Sequence, residues 1–367
     1  DLTNMETSYI FKEFFDRTLD IKNYESRSDN RFIDINKREN YLFNSSINGI
    51  EESDLIFLIG TNPRYEATIL NARIRKSYLS NSTEVISLND LGDLTFPYES
   101  LDGQTQTLND IFEGNHKISK KIIAADKPMI ILGESLLNLK SSKYFFSKIK
   151  EFLIKNNKTN EEWNSFNILS TDASTVGNFD LGVVNEGNNL LEDLQNHKFD
   201  IVYLVGQDNL SFDKKDEFII YQGSHGDKGA EMADIILPGS AYTEQDGFFT
   251  NLEGNLQKAY KASYPPGDAK EDWQIFNELA EVMNNRKLFN DKDELESSMI
   301  NHLNLQKEKQ NSVVDQNNDI KSDNFQNETL KVNVKDYYFS NVIARSSKTM
   351  IECNNSKLNF KSTGTEG

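Results

Sequence analysis

Five residues, GTNPR at positions 60–64, sit where an apolar run ends and a helix-forming stretch begins. In α/β proteins that junction is an anion site. Backbone N–H groups and the helix dipole point at the ligand, and a guanidinium at Arg64 would add a bidentate contact. The same five residues also suit an empty strand-to-helix turn, which needs a glycine at Gly60 and a cap at Thr61 or Asn62. No GxGxxG or P-loop pattern occurs, so an ordinary NAD or ATP site has no support. A second group of candidates lies in ADIILPGSAYTEQDGFFTNLEGNLQ, residues 233–257. Its carboxylates Glu244, Asp246 and Glu253 suggest acid–base work, yet no His, Lys or Tyr is evident as their partner base. Gly226 and Gly229, just before it, would let backbone approach a ligand or would only make a turn. Ser135, Ser174 and Ser240 lack a G-x-S-x-G setting. The single cysteine, Cys353, rules out a disulfide framework, a multi-cysteine zinc site and any iron–sulfur cluster held by this chain alone. The four histidines, His116, His197, His225 and His302, have no metal-ligand spacing.

These residues must be positioned by a scaffold, and the pattern of the chain describes one. ESDLIFLIG contains an apolar run at Leu55–Ile59, which reads as a strand buried on both faces. A helix follows from the cap at 61–62, with Pro63 in its first turn, Tyr65, Ile69 and Ala72 on one face, and Arg73, Arg75 and Lys76 late, where cations suit the dipole. Residues 84–88 give the next strand, completing a βαβ unit. Further strands are expected at 129–132, 166–170, 199–206 and 217–223, with a helix between the first two. Strands alternating with helices predict a parallel, doubly wound sheet. PPGDAKEDWQIFNELAEVMNN starts a helix with Asp268 and Glu271 as a capping pair and Trp273, Phe276, Leu279, Ala280 and Met283 as its buried face. SYIFKEFFDRTL, near the start, is another helix. Residues 290–335 are charged and amide-rich and read as linker or insertion. Residues 336–367 regain apolar and aromatic side chains and read as a docking tail, on this domain or on a partner.

The bulk properties bound the function. The 367 residues are 37% hydrophobic, with a mean hydropathy of -0.62, which is lean but globular. No apolar run approaches the roughly 18 residues of a membrane helix, so no direct membrane insertion is expected. The formal net charge of -18 argues against nucleic acid, whose phosphates need clustered Lys and Arg. Residues 1–40 mix acids and bases and do not read as a signal or transit peptide. The start at Asp1 suggests that a presequence has been removed or that this is a piece of a longer chain.

Four segments carry a resemblance. LIGTNPRYEATILNARIRKSY (58–78) looks like the opening of the molybdopterin-oxidoreductase-like domain in the large iron–sulfur subunit of respiratory complex I. GDKGAEMADIILPGSAYTEQDGFFTNLEGNLQ (226–257) resembles the long signature of that subunit, YPPGDAKEDWQIFNELAEVM continues it, and DYYFSNVIARSSKTMIEC (336–353) resembles its C-terminal end. The resemblance implies an α/β fold with doubly wound, mostly parallel sheets of the molybdopterin-oxidoreductase (formate dehydrogenase-like) type, without the N-terminal ferredoxin-like cluster region. It implies an N-terminal partner-contacting segment at 1–50, the α/β domain at 51–289 in halves of about 51–125 and 126–289, the linker and the tail. It implies a vestigial cleft formed by Gly60, Thr61, Asn62, Arg64, Glu244, Asn251 and Glu253, with no catalytic residue, no metal and no cofactor in this chain. Asn255 stands where the family usually has Arg, which weakens anion binding. FMN and iron–sulfur clusters would be on partner subunits. Those partners would be other peripheral-arm subunits of complex I, above all a separate cluster-bearing N-terminal half of the same subunit. The place would be the matrix side of the mitochondrial inner membrane. The alternatives are a fragment of a molybdopterin-dependent oxidoreductase and a free nucleotide-binding module using residues 60–64.

Overall fold

The computed structural model describes residues 2–185, 190–210, 212–312, 325–334 and 336–359. The first apolar run is strand β1 (Leu55–Ile59), buried at every position. It is joined in one parallel sheet by β2 (Glu84–Ser87), β3 (Glu99–Ser100), β4 (Pro128–Gly133) and β5 (Phe166–Leu169), in the order β3-β2-β1-β4-β5. The chain winds outward from β1 on one side, then returns to β4 and winds the other way, which is the doubly wound pattern. Both faces of β1 are apolar because both are covered. Phe57 and Ile59 join Ile86, Leu108, Phe145 and Phe146 on one side; Ile56 and Leu58 join Ile74, Val85, Met129 and Ile131 on the other. Each such side chain contributes about 1.5–3 kcal/mol by leaving water.

A second parallel sheet holds β6 (Ile201–Val205), β7 (Phe218–Gly223) and β8 (Ile235–Pro238), in that order. The antiparallel hairpin β9 (Gly247–Thr250) and β10 (Leu256–Ala259) follows. The fold class read from the sequence is therefore the one observed.

Several local readings change. The helix after β1 breaks at Ala67 (φ -149°, ψ 68°) into Pro63–Glu66 and Thr68–Asn81. The break shifts the helical phase, so Leu70, Ile74 and Ser77 are buried, while Tyr65 and Ile69 are 52% and 75% exposed and Ala72 is exposed too. Helix Asp272–Asn284 has Glu271 at its N-cap without a side-chain cap bond; Asp268 lies outside and exposed. Phe276 and Ala280 are buried as expected, Trp273 and Leu279 pack partly against the same core, but Met283 faces solvent. Residues 290–335 are not all linker. Helix Lys292–Ser312 buries Leu295, Met299 and Leu303, a one-side-chain-wide stripe at four-residue spacing that polar composition concealed. The remainder of that expected linker at 313–324 and 335 lies outside the described residues, as do tail residues 360–367.

The N-terminal helix packs within the chain. Helix Met5–Glu13 buries Met5, Tyr9 and Ile10 against Phe276, Leu295 and Met299 of the same chain. Its apolar face is thus covered within the fold. No described helix is long and apolar enough to cross a membrane.

Strand order reverses between β1 and β4, and there the backbones meet closely. A Cβ added at Gly133 would lie 2.3 Å from the Gly60 carbonyl oxygen and 2.5 Å from Thr61 Cβ. Gly133→Ala is therefore expected to destabilise the fold by on the order of 1–3 kcal/mol through overpacking. The urea midpoint reads this; an unchanged midpoint would show that the two loops yield freely.

Candidate functional site

The loop at 60–64 sits at the carboxyl end of β1, at the point where strand order reverses. That is where open parallel sheets receive ligands. Gly60 has φ +69°, and a Cβ there would lie 2.6 Å from the Leu136 nitrogen, so packing alone requires glycine. The expected donors already have an acceptor. Glu66 Oε2 accepts from Thr61 Oγ1 at 2.6 Å and from the Asn62 amide at 2.5 Å. Asn62 caps the short helix, its Oδ1 accepting from the Arg64 amide at 3.2 Å and its amide nitrogen donating to the Leu91 carbonyl at 3.1 Å. Arg64 reaches the Asp93 carbonyl and, at 2.6 Å, its carboxylate. The Thr95 amide and then Arg64 hold the Asp93 carboxyl below the usual range. An internal carboxylate thus stands where a phosphate would, and the helix behind it is a single turn, too short for a strong dipole.

The candidates in the signature stretch lie elsewhere, and each has a structural task. Glu244 Oε2 accepts from the Ala241 amide at 2.9 Å and closes a turn after β8. Asn251 Oδ1 accepts from the amides of Glu253 and Asn255, at 3.0 and 2.9 Å, and shapes the hairpin tip. Glu253 Oε1 accepts from the Ile47 amide at 2.8 Å. Gly254, at φ +82°, lies under the Arg38 guanidinium: a Cβ there would be 2.7 Å from Arg38 Nη1. Arg38 Nη2 donates to the Gly254 carbonyl at 2.7 Å, and Arg38 grips buried Asp180 with two bonds of 2.8 and 2.6 Å. Tyr41 donates to the same carboxylate at 2.8 Å. A guanidinium therefore does stand at this tip, supplied by Arg38 and not by position 255. Sequence reading missed Arg38 and Asp180; they lie 142 residues apart, with no motif to join them.

Between the sheets is a crevice of about 150 Å³, lined by Asp172, Ser174 and Thr175 past the end of β5, by Gly206 and Gln207 past β6, and by Arg27 and Arg31 below. Arg31, 5% exposed, pairs with Glu134 and, at 3.3 Å, with Asp29. Arg27 pairs with Glu25 at 2.7 Å. The carboxylates of Glu134, Asp29, Asp172 and Glu25 raise the affinity of Arg31 for its proton, against the cost of burial. A pterin dinucleotide needs several hundred Å³ and cations able to turn to its pyrophosphate. The crevice is smaller than that, and both arginines face carboxylates of the chain. The residues present do not fit the group.

Among the described residues no cluster of three or more His, Cys, Asp or Glu could hold a metal ion. His116 caps a helix, His197 contacts Glu217 at 2.6 Å, His225 contacts Ser224, and His302 meets the Leu181 carbonyl. Gly229 packs on Gln207 and the Tyr221 ring, Gly226 meets only open space, and Cys353 is exposed.

The two parallel sheets and the signature hairpin that follows them can be set against known proteins. Residues 1–282 match the molybdopterin oxidoreductase family. The chain belongs to that family. Residues 301–353 match a second family, the C-terminal region of the G subunit of NADH-ubiquinone oxidoreductase. Among curated relatives, the NADH-ubiquinone oxidoreductase 75 kDa subunit of Reclinomonas americana is 36% identical over 96% of this chain and 54% of its own length. The mitochondrial 78 kDa subunit of the same enzyme from Candida albicans is 39% identical over 86% of this chain and 45% of its own length. The mitochondrial 78 kDa subunit from Neurospora crassa is 37% identical over 90% of this chain and 46% of its own length. The chain thus spans about half the length of the curated relatives it matches.

Proposed function

We infer that this molybdopterin-oxidoreductase-family chain is a structural, non-redox part of the peripheral arm of NADH:ubiquinone oxidoreductase, complex I. FMN and the iron–sulfur clusters would be carried by partner chains, including a separate cluster-bearing half of the same subunit. The setting is the matrix side of the mitochondrial inner membrane, for which the mitochondrial relatives give support. One observation carries the non-redox reading: the groups that would grip a cofactor already hold one another. Glu66 takes the loop donors, Asp93 takes Arg64, Asp180 takes Arg38, and Glu134 takes Arg31. The net charge of -18 keeps such a surface soluble and gives it a sign by which neighbouring subunits can recognise it.

Native electrophoresis of membranes solubilised in mild detergent tests membership. The chain, detected by antibody, is expected in the band that carries NADH dehydrogenase activity. Migration only in a separate, lighter band would overturn the assignment.

A further inference from the structure

Two stretches from the C-terminal part of the chain lie across the carboxyl ends of the two parallel sheets. Residues 325–334 cross the first sheet. The Leu330 amide donates to the Gly103 carbonyl at 2.9 Å, and the Leu330 carbonyl accepts from Asn89 Nδ2, two residues past β2, at 2.7 Å. The Asn333 amide donates to Ser135 Oγ, two residues past β4, at 3.0 Å. Residues 341–343 cross the second sheet. With Gly206, Gly223 and Ser240, at or just past the ends of β6, β7 and β8, they leave a cavity of only about 50 Å³. Val342 is buried there, and Arg345 Nε lies 2.6 Å from Asp227 Oδ2.

The carboxyl edge is the edge at which open parallel sheets take up ligands. We propose that the C-terminal segment is an intramolecular cap, with residues 341–345 occupying the carboxyl edge of β6–β8 as a bound peptide would. The two stretches are held differently. The first belongs to the core: Leu330 is 1% exposed, and the Phe325 ring packs edge-on to Phe145 and tilted against Tyr144. Among the described residues the second buries Val342 and forms the Arg345–Asp227 ion pair, and most of the helix that follows it, Lys348–Asn359, is exposed. That makes it the exchangeable part. The kind of partner that fits the edge is then a short peptide with a branched apolar residue three positions before an arginine, the spacing of Val342 and Arg345. A segment of that chemistry from a neighbouring chain would compete with the cap.

The test uses the full chain carrying Val342→Asp and Arg345→Glu together, followed by amide hydrogen exchange. Exchange in segments 204–208 and 222–226 is expected to rise about tenfold or more, with β1 and β4 unchanged. A synthetic peptide of residues 336–353, added at millimolar concentration, should restore protection, and a scrambled peptide should not. Unchanged exchange at both segments would overturn the cap, as would loss of protection spreading to β1 and β4. Equal effects of the two peptides would overturn the proposed recognition.

Discussion

Replacing Arg38 by methionine should lower the unfolding free energy by about 3–5 kcal/mol, because it leaves the Asp180 carboxylate buried without its countercharge. Asp180 is 4% exposed, and two of its bonds come from the guanidinium at 2.8 and 2.6 Å. Among the described residues Tyr41 would remain as a donor to it. The same guanidinium ties the hairpin tip to the N-terminal segment through the Gly254 carbonyl, so hairpin and segment should loosen together. The double change Arg38→Met with Asp180→Leu removes the charge as well as its partner. It should recover a good part of the loss, since the penalty is mostly the unpaired carboxylate. Urea denaturation of the wild type and both variants measures the two effects. A loss below about 1 kcal/mol for the single change would place this pair with exposed surface ion pairs.

Stability should fall as pH rises from about 4.5 to about 7, and Glu6 should be a main cause. Its side chain is 1% exposed and both its oxygens accept from the Phe248 amide, at 2.8 and 3.1 Å. Burial pushes its carboxyl from 4.5 up to about 7. The folded state therefore keeps a proton that the unfolded chain gives up near 4.5, and stability declines between those values and levels off above about 7. The loss from Glu6 is at most about 3 kcal/mol. Burial also raises Asp272 and Asp208, which act in the same direction. His302, whose pKa burial lowers from 6.5, works the opposite way below that value. The quantity to compare is therefore the pH slope of the wild type against that of Glu6→Gln, which keeps an acceptor for Phe248 and removes the titration. Equal slopes would contradict the assignment.

The strands are legible in the sequence because parallel strands covered on both faces must be continuous apolar runs, and IFL or MIIL admits few other readings. Helix phase is less so. Spacing puts Ile69 and Met283 on buried stripes, but the break at Ala67 and the free end of Asp272–Asn284 turn them to solvent. Helix Lys292–Ser312 escapes a reading by composition because three buried side chains suffice to dock it, and three do not alter the character of a 21-residue segment. The candidate residues Gly60, Asn62, Arg64 and Glu253 stand out from local patterns, and Asn251 from the resemblance; Gly60, with φ +69°, sits at a turn that requires glycine. What those residues bind is not legible. Glu66 lies four residues from Asn62 and carries no motif, while Glu253 reaches Ile47, 206 residues away. A pattern can mark a loop as able to hold an anion; only the fold shows that the anion is the chain's own carboxylate.

That point is open to one decisive measurement. The purified chain, isolated from its native assembly, can be assayed for molybdenum, tungsten and iron by elemental analysis. If the anion-gripping groups are already occupied by carboxylates of the chain, all three metals will be far below stoichiometric. Molybdenum or tungsten in stoichiometric amount would mean that the crevice opens to a pterin cofactor after all, and that the chain is part of a catalytic oxidoreductase.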